Sequence, residues 1–228
     1  MEKVTAIIPA YNEEKHIGRV LSVLEKVDKV NEVIVVDDGS EDRTKKVSKS
    51  FEQVKVVSHG VNRGKKEALN TGVKHSKDRN LLFLDADLVN LEEKHITSML
   101  TSFFESEKET MVLGIFKDRR RLTDFAMVLH PKLTGQRVLT KKVWETAYKK
   151  KSKGFGAEVA INKACEDLGI PVKRVNLYGV TQHRKEEKEG WIKGLIYKAS
   201  MYLQVIYTLI KNIKPSPKLV HRTHQPFQ

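Results

Sequence analysis

The segment Leu81-Leu82-Phe83-Leu84-Asp85-Ala86-Asp87-Leu88 constrains this chain more than any other. Four consecutive apolar residues read as a strand buried on both faces, the parallel-sheet pattern. The strand runs into two carboxylates one residue apart. Aspartate is a poor strand former, and an unpaired charge is costly inside a protein. Asp85 and Asp87 are therefore expected just past the strand's carboxyl end, where open α/β sheets bind ligands. Two hard oxygen ligands this close suit Mg2+ or Mn2+ holding a diphosphate. A bare D-x-D can also simply end a strand and cap the next turn, so the rest of the chain has to decide.

With 228 residues, of which 39% are hydrophobic, the chain can build one large α/β domain with a buried core. Its single cysteine, Cys165, has no partner for an internal disulfide or a zinc knuckle. The opening Met-Glu-Lys-Val-Thr-Ala-Ile-Ile-Pro enters a strand directly, without a signal-peptide layout, so a cytoplasmic protein is expected. The formal net charge is +13, from 42 basic and 29 acidic residues. Nucleic acid, anionic substrates and anionic lipid surfaces all suit such a charge. The basic residues spread over 117–121, 141–153 and 184–222, with no interleaved aromatic platform, which argues against nucleic acid.

In chain order, Lys3 to Ile8 reads as a first strand stopped by Pro9. Ala10 to Glu14 forms a turn with Asn12 as the expected N-cap of a helix carrying Ile17, Val20, Leu21 and Leu24 on one face. Val33 to Val36 is a second apolar strand that also runs into acid, Asp37-Asp38-Gly39-Ser40. A helix over Thr44 to Ser50 and a strand over Val54 to Val57 follow. The glycine-bearing basic loop His59 to Lys65 then opens a helix through Ala68, Leu69 and Val73. Strands alternating with helices at this pitch predict βαβ units and a parallel sheet. Neither a G-x-G-x-x-G nor a P-loop is present. Further on, Leu91 to Phe104 reads as a helix and Met111 to Ile115 as a strand. The stretch 117–131 reads as a long functional loop with a short helix at 122–129. Helices about Val143 to Tyr148 and Ala157 to Leu168 are separated by the charge run 149–153. Val172 to Val175 is a short strand, and Val180 to Arg184 a loop or edge strand. Trp191 to Ile213 is a last, amphipathic helix, short for a membrane span, that packs on the domain, on a second subunit or on a membrane surface. The tail from Pro215 is basic and proline-bearing.

Four motifs together resemble a known family: Ile8-Pro9-Ala10-Tyr11-Asn12-Glu13-Glu14, Val35-Val36-Asp37-Asp38-Gly39-Ser40, Asn62-Arg63-Gly64-Lys65 and Leu84-Asp85-Ala86-Asp87. In this order and spacing they resemble the nucleotide-sugar glycosyltransferases of family 2 with the GT-A fold. In the second half, Thr134-Gly135-Gln136-Arg137, Gly154-Phe155-Gly156-Ala157-Glu158 and Gly179-Val180-Thr181-Gln182-His183-Arg184 are similar to the glucosyl-3-phosphoglycerate synthase branch.

The resemblance implies a nucleoside pocket lined by Pro9, Ala10, Tyr11 and Glu13, with Asp38 (or Asp37) against the base. It implies that Lys65 meets the diphosphate, that Gly64 lets the backbone come close, that Asp85 supports the ribose or the metal's water shell, and that Ala86 lines the nucleotide-sugar site. A lysine ammonium suits a diphosphate as a point charge. Asp87 is the expected metal ligand, and His183 resembles the late ligand of this branch, which tilts the metal from Mg2+ towards Mn2+. Glu158 resembles the acidic residue near the acceptor. In an inverting reaction it would take the acceptor's proton. Close likeness to the named branch would instead mean retention, and the residues leave both open. Thr134, Gly135 and Arg137 are read as acceptor contacts, with Arg137 holding an anionic group bidentately.

The expectation is thus an α/β, GT-A fold with a single mostly parallel sheet flanked by helices. Residues 1–190 form the domain, with a nucleotide-binding half (1–90) and an acceptor half (91–190), then the amphipathic helix 191–213 and a basic flexible tail 214–228. Its partners are a nucleoside diphosphate sugar, with a UDP-sugar foremost, and a small anionic or lipid-linked acceptor. Peripheral membrane contact through 191–213 at the inner face of the membrane, and a homodimer, are compatible with this reading. A nucleotidyltransferase is the rival enzyme class. It would carry a glycine-rich basic loop after the first strand, where this chain has Pro-Ala-Tyr-Asn-Glu.

Overall fold

Buried strands and amphipathic helices assemble as the pattern of the chain predicts. The computed structural model describes residues 2–117, 134–149 and 156–182. All of them fall in one compact unit. The expected short helix at 122–129, the charge run beyond Lys149, His183, the helix 191–213 and the tail 214–228 lie outside the described residues.

The strands are β1 (Val4–Ala10), β2 (Val30–Asp37), β3 (Val54–Ser58), β4 (Asn80–Phe83), β5 (Leu88–Val89), β6 (Met111–Lys117), β7 (Arg137–Thr140), β8 (Val172–Tyr178) and β9 (Thr181–Gln182). The helices are α1 (Ile17–Leu24), α2 (Thr44–Lys49), α3 (Lys65–His75), α4 (Glu93–Phe104), α5 (Lys141–Tyr148) and α6 (Gly156–Leu168). Seven strands form the main sheet in the order β3-β2-β1-β4-β7-β6-β8, and β5 pairs with β9 in a small second sheet. All neighbours in the main sheet are parallel except β7, which runs against both β4 and β6.

Alternation along each strand splits the core between two faces. Ala6, Ile8, Leu82, Leu84, Val112 and Val138 pack with Ile17, Leu21, Ile96 and Leu100 from α1 and α4. Ile7, Leu81, Phe83, Leu113 and Leu139 pack with Leu69, Trp144, Ala160 and Ile161 from α3, α5 and α6. Both faces are covered, which explains why β2 and β4 read as unbroken apolar runs. Phe83 and Trp144 meet edge to face, with ring centroids 5.2 Å apart, the arrangement that aromatic quadrupoles favour.

Three expectations are corrected. Pro9 does not stop the first strand, which continues to Ala10. Alternate residues of β1 face alternate neighbours: Ala10 O accepts from Asp38 N on the β2 side, and Ile7 O from Leu84 N on the β4 side. Position 9 shares the β4 side with Ile7. There β4 has already ended, so the missing proline N–H removes no ladder bond. Asn12 does not cap α1. It adopts a left-handed φ of 57°, and its Oδ1 accepts from Glu41 N at 2.9 Å while its N donates to Ser40 Oγ at 3.0 Å. It clasps the turn after β2 instead. Finally, residues 137–140, to which sequence periodicity assigned no element, form the antiparallel strand β7.

The clasp continues with Thr44, which is fully buried and accepts the Glu13 N–H at 2.7 Å through Oγ1. This bond ties the turn after β1 to α2. Thr44→Val keeps the shape but leaves a donor without its acceptor, so urea unfolding should show a loss of about 1–3 kcal/mol. Thr44→Ser keeps the hydroxyl and should lose clearly less.

Candidate functional site

The carboxyl ends of β1, β2 and β4 gather at one edge of the sheet. The chain moves outward from β1 to β2 and β3, then returns through α3 to β4 on the other side. This reversal beside β1 is the place where open α/β sheets leave a crevice for a ligand.

A cleft of about 450 Å³ opens at this edge, with Tyr11, Asp37, Ser40, Lys45, Val61 and Asn62 in its wall. Tyr11 is 43% and Val61 65% exposed, which leaves an apolar surface on either side. Asp37 is buried and its Oδ1 accepts from Ser40 N at 3.2 Å. Asp38, by contrast, lies behind the wall. Its Oδ1 accepts from Arg63 N at 2.9 Å and faces His59 Nδ1 at 2.7 Å, and its Oδ2 accepts from Gly64 N at 2.8 Å. Of the two candidates for a base contact, Asp37 reaches the cleft and Asp38 holds the loop that borders it. Pro9 and Ala10 form the end of β1, with Ala10 buried. Glu13 is turned towards His16, its Oε2 3.0 Å from Nδ1.

Next to this cleft, three charges converge. Lys65 is the first residue of α3, delivered by Gly64 at a φ of 90° that only glycine adopts readily. Its Nζ lies 2.7 Å from Asp85 Oδ1 and 2.9 Å from Glu158 Oε1. Asp85 follows the end of β4, and Glu158 sits in the first turn of α6. Burial pushes the Lys65 ammonium down, but the Asp85 and Glu158 charges and hydrogen bonds outweigh it and hold the group above its ordinary value. Burial likewise pushes the Asp85 carboxyl up, and the Lys65 charge, helped by hydrogen bonds from Lys65, Gln136 and Gln182, takes it below the usual carboxylate range. Both groups are charged at neutral pH.

Strand β7 supplies the support. Its antiparallel register pairs Phe83 with Arg137, so continuing the pairing past the strand end sets Gly135 opposite Asp85. A Cβ at Gly135 would collide with both carboxylate oxygens of Asp85, which makes glycine a steric requirement there. Gln136, fully buried, donates from Nε2 to Asp85 Oδ2 at 2.8 Å, and Gln182 of β9 donates to the same oxygen. Thr134 Oγ1 lies 2.8 Å from Gly114 O and closes the bend.

Arg137 is not on the open side of the site. It is 1% exposed, with Nε donating to Thr134 O and Nη1 to Asn162 Oδ1, both at 2.8 Å. Its alternation from Gln136 turns it beneath α6 rather than towards a ligand. Burial pushes its guanidinium down to about 10, against the pull of Glu158, Cys165 and Asp85, so it remains charged at neutral pH. It supports α6 from below. Gln136 and Gln182 are the site residues that a search for charged groups passes over. Their signal was present in the Thr134–Arg137 and Gly179–Arg184 motifs, which carry them to β4.

Asp87 is half-buried in the turn between β4 and β5, beside the buried Ala86. The β5–β9 ladder pairs Leu88, the residue after Asp87, with Gln182, the residue before position 183. Among the described residues no group of three or more His, Cys, Asp or Glu side chains is arranged to hold a metal.

The chain matches the model of glycosyl transferase family 2 over residues 5–163. It is 39% identical over 101 residues to the dolichyl-phosphate beta-glucosyltransferase of Mus musculus, covering 38% of this chain and 31% of that protein. It is 36% identical over 104 residues to the 4,4'-diaponeurosporenoate glycosyltransferase of Staphylococcus aureus, covering 44% and 28%. The matched stretch spans only about a third of the length of these relatives. Among solved structures, glucosyl-3-phosphoglycerate synthase from Mycobacterium tuberculosis in complex with Mn2+, uridine diphosphate and phosphoglyceric acid superposes with a TM-score of 0.73. That pair is 24% identical, covering 94% of this chain and 80% of that one. The same synthase with uridine diphosphate gives 0.66 at 26% identity, covering 80% and 72%. The family match begins in β1 and ends within α6, so it takes in the whole Lys65–Asp85–Glu158 cluster, and the chain belongs to glycosyl transferase family 2.

Proposed function

We propose that this protein is a metal-dependent glycosyltransferase that moves a hexose from a UDP-sugar to a small anionic acceptor of the phosphoglycerate kind. The observation that carries the reading is the Lys65 ammonium, set between Asp85 and Glu158 at the carboxyl edge beside the Tyr11–Asp37 cleft. The base and ribose occupy the cleft, with Tyr11 and Val61 as apolar walls and Asp37 as an acceptor for a ring N–H. The diphosphate lies at Lys65. Lysine meets it as a point charge, and stabilising the departing diphosphate is the electrostatic core of such a transfer.

The residues fit a divalent cation. Mg2+ and Mn2+ are held by one or two carboxylates together with substrate phosphate oxygens. Asp87 offers a hard oxygen at the right edge. Asp85 has both oxygens engaged by Lys65, Gln136 and Gln182 and is a supporting residue. His183 lies outside the described residues, and its assignment rests on the likeness of the Gly179–Arg184 motif to the glucosyl-3-phosphoglycerate synthase branch. We assign the metal to Asp87 and His183. When bound, it neutralises charge on the diphosphate.

Glu158 is the residue of the cluster that comes from the half read as the acceptor half, in the first turn of α6. In an inverting transfer the acceptor oxygen bonds to the anomeric carbon, the bond from that carbon to the diphosphate oxygen breaks, and the acceptor's proton passes to the Glu158 carboxylate. For that, Lys65 has to turn from Glu158 towards the diphosphate. In a retaining transfer Glu158 keeps its pairing and orients the acceptor instead.

The acceptor assignment draws on the solved neighbour with phosphoglyceric acid. A second reading, transfer to a lipid-borne phosphate, draws on the likeness to dolichyl-phosphate beta-glucosyltransferase. No helix among the described residues is long and apolar enough to cross a membrane. An assay of UDP-glucose with 3-phosphoglycerate or with polyprenyl phosphate in detergent separates the two readings by the product formed.

A ligand that binds only the folded state raises its apparent stability. UDP-glucose with Mn2+ should therefore raise the melting temperature of the wild type, and Asp87→Asn should abolish the metal-dependent part of that shift. An undiminished shift in Asp87→Asn would remove Asp87 from the site. Lys65→Met should weaken UDP binding about 10- to 100-fold by calorimetry, the range expected for losing a hydrogen bond from a charged donor. UDP binding within twofold of wild type would place the diphosphate elsewhere.

A further inference from the structure

His59 belongs to none of the roles above, yet it lies in the wall of the donor cleft and is bonded to Asp38, which holds the loop bordering that cleft. It lies just past β3 and its side chain is 5% exposed, as is that of Asp38. Nδ1 is 2.7 Å from Asp38 Oδ1, and Nε2 is 2.9 Å from Thr71 Oγ1. An ionised carboxylate only accepts, so the ring carries a proton on Nδ1. In the neutral ring Nε2 has no hydrogen and accepts the Thr71 hydroxyl. The imidazole thus spans from the end of β2 to the middle of α3.

The same carboxylate accepts the N–H groups of Arg63 and Gly64. Gly64 N is also 3.1 Å from Asn62 Oδ1. These are the last two residues before Lys65. Three donors from one loop therefore converge on Asp38, and two of them set the direction in which the chain enters α3. Without the ring, Asp38 loses one of its three donors, and the two N–H groups lose part of what holds their acceptor in place. A buried carboxylate is held in place only as well as its donors hold it. We infer that His59 is a positioning residue for the donor subsite: through Asp38 it locks loop 59–64, and with it the placement of Lys65 against the diphosphate. This inference rests on the donor reading given above.

The test compares His59→Asn with His59→Leu in the full chain. The asparagine amide nitrogen takes the place of Nδ1 and keeps the bond to Asp38, while leucine fills the volume without it. Amide hydrogen exchange of the ligand-free protein reads the loop directly. In His59→Leu, the Arg63 and Gly64 amides should exchange about tenfold faster or more, while β1 amides keep their rates, because local opening is separate from global unfolding. In the same variant, the Kd for UDP-glucose with Mn2+ should rise about tenfold or more, roughly 1.4 kcal/mol. His59→Asn should hold both quantities within about threefold of wild type. Unchanged Arg63 and Gly64 exchange in His59→Leu would overturn the inference. So would an equal rise in β1 exchange, which marks a merely structural role, or equal damage from both substitutions. If His59→Leu does not fold, Thr71→Val removes the outer bond alone and should speed the same two amides, and wild-type rates there would count against the inference. A wild type that binds no UDP-glucose would sink the donor reading, and the exchange measurement would still decide the role of His59.

Discussion

The pairing of Lys65 with Asp85 and Glu158 is the constraint on which the site depends. Taking a carboxylate out of water is costly unless an opposite charge and hydrogen bonds replace the solvent. Asp85 and Glu158 meet that cost with one shared ammonium, and Asp85 with two amides besides. The consequence reaches through the fold. Strand β4 must end at Phe83, α3 must begin at Lys65, and α6 must dock with Glu158 in its first turn for the three to meet. Arg137, under α6, adds a second buried positive charge close to the same carboxylates. The cluster sets two basic side chains, Lys65 and Arg137, against two acidic ones, Asp85 and Glu158.

Support and contact are divided among different residues. Asp37 reaches the cleft while Asp38 holds the loop. Asp85 is engaged through both carboxylate oxygens by Lys65, Gln136 and Gln182. Of the neighbouring acids Asp37 and Asp38, one lines the cleft and the other is bonded to the loop beside it. Such a division is how a site keeps its ligand-facing groups in place without help from the ligand. It also explains why glycine stands at 135, where any side chain would displace the supporting carboxylate.

Much of this was legible in the sequence because buried parallel strands read as apolar runs and their ends as polar punctuation. The strand-then-acid pattern placed Asp37, Asp38, Asp85 and Asp87 at one edge before any coordinates. Other features were set by tertiary context. Strand β7 is four residues long and opens with a buried arginine, so no period marks it. Only its pairing with β4 defines it. Pro9 looked like a strand end because the sequence does not show that β4 stops two residues short of it. Gln136 and Gln182 reach Asp85 across 51 and 97 residues of chain, a convergence that spacing along the sequence does not reveal. Arg137 was read as a ligand contact because a charged residue suggests exposure, whereas alternation along β7 turns it inward.

Lys65 and Glu158 are 93 residues apart in the chain, while Lys65 and Asp85 belong to adjoining elements of one βαβ unit. Closing a long loop is entropically slower to be rewarded than forming neighbouring contacts. As the chain leaves the ribosome, the β1–β4 half and its Lys65–Asp85 pair can form while α6 is still unmade. The contact of Glu158 with Lys65 has to wait for α6 to be made. The Lys65–Asp85 contact thus costs little loop closure, whereas the Lys65–Glu158 contact closes most of the chain between β4 and α6.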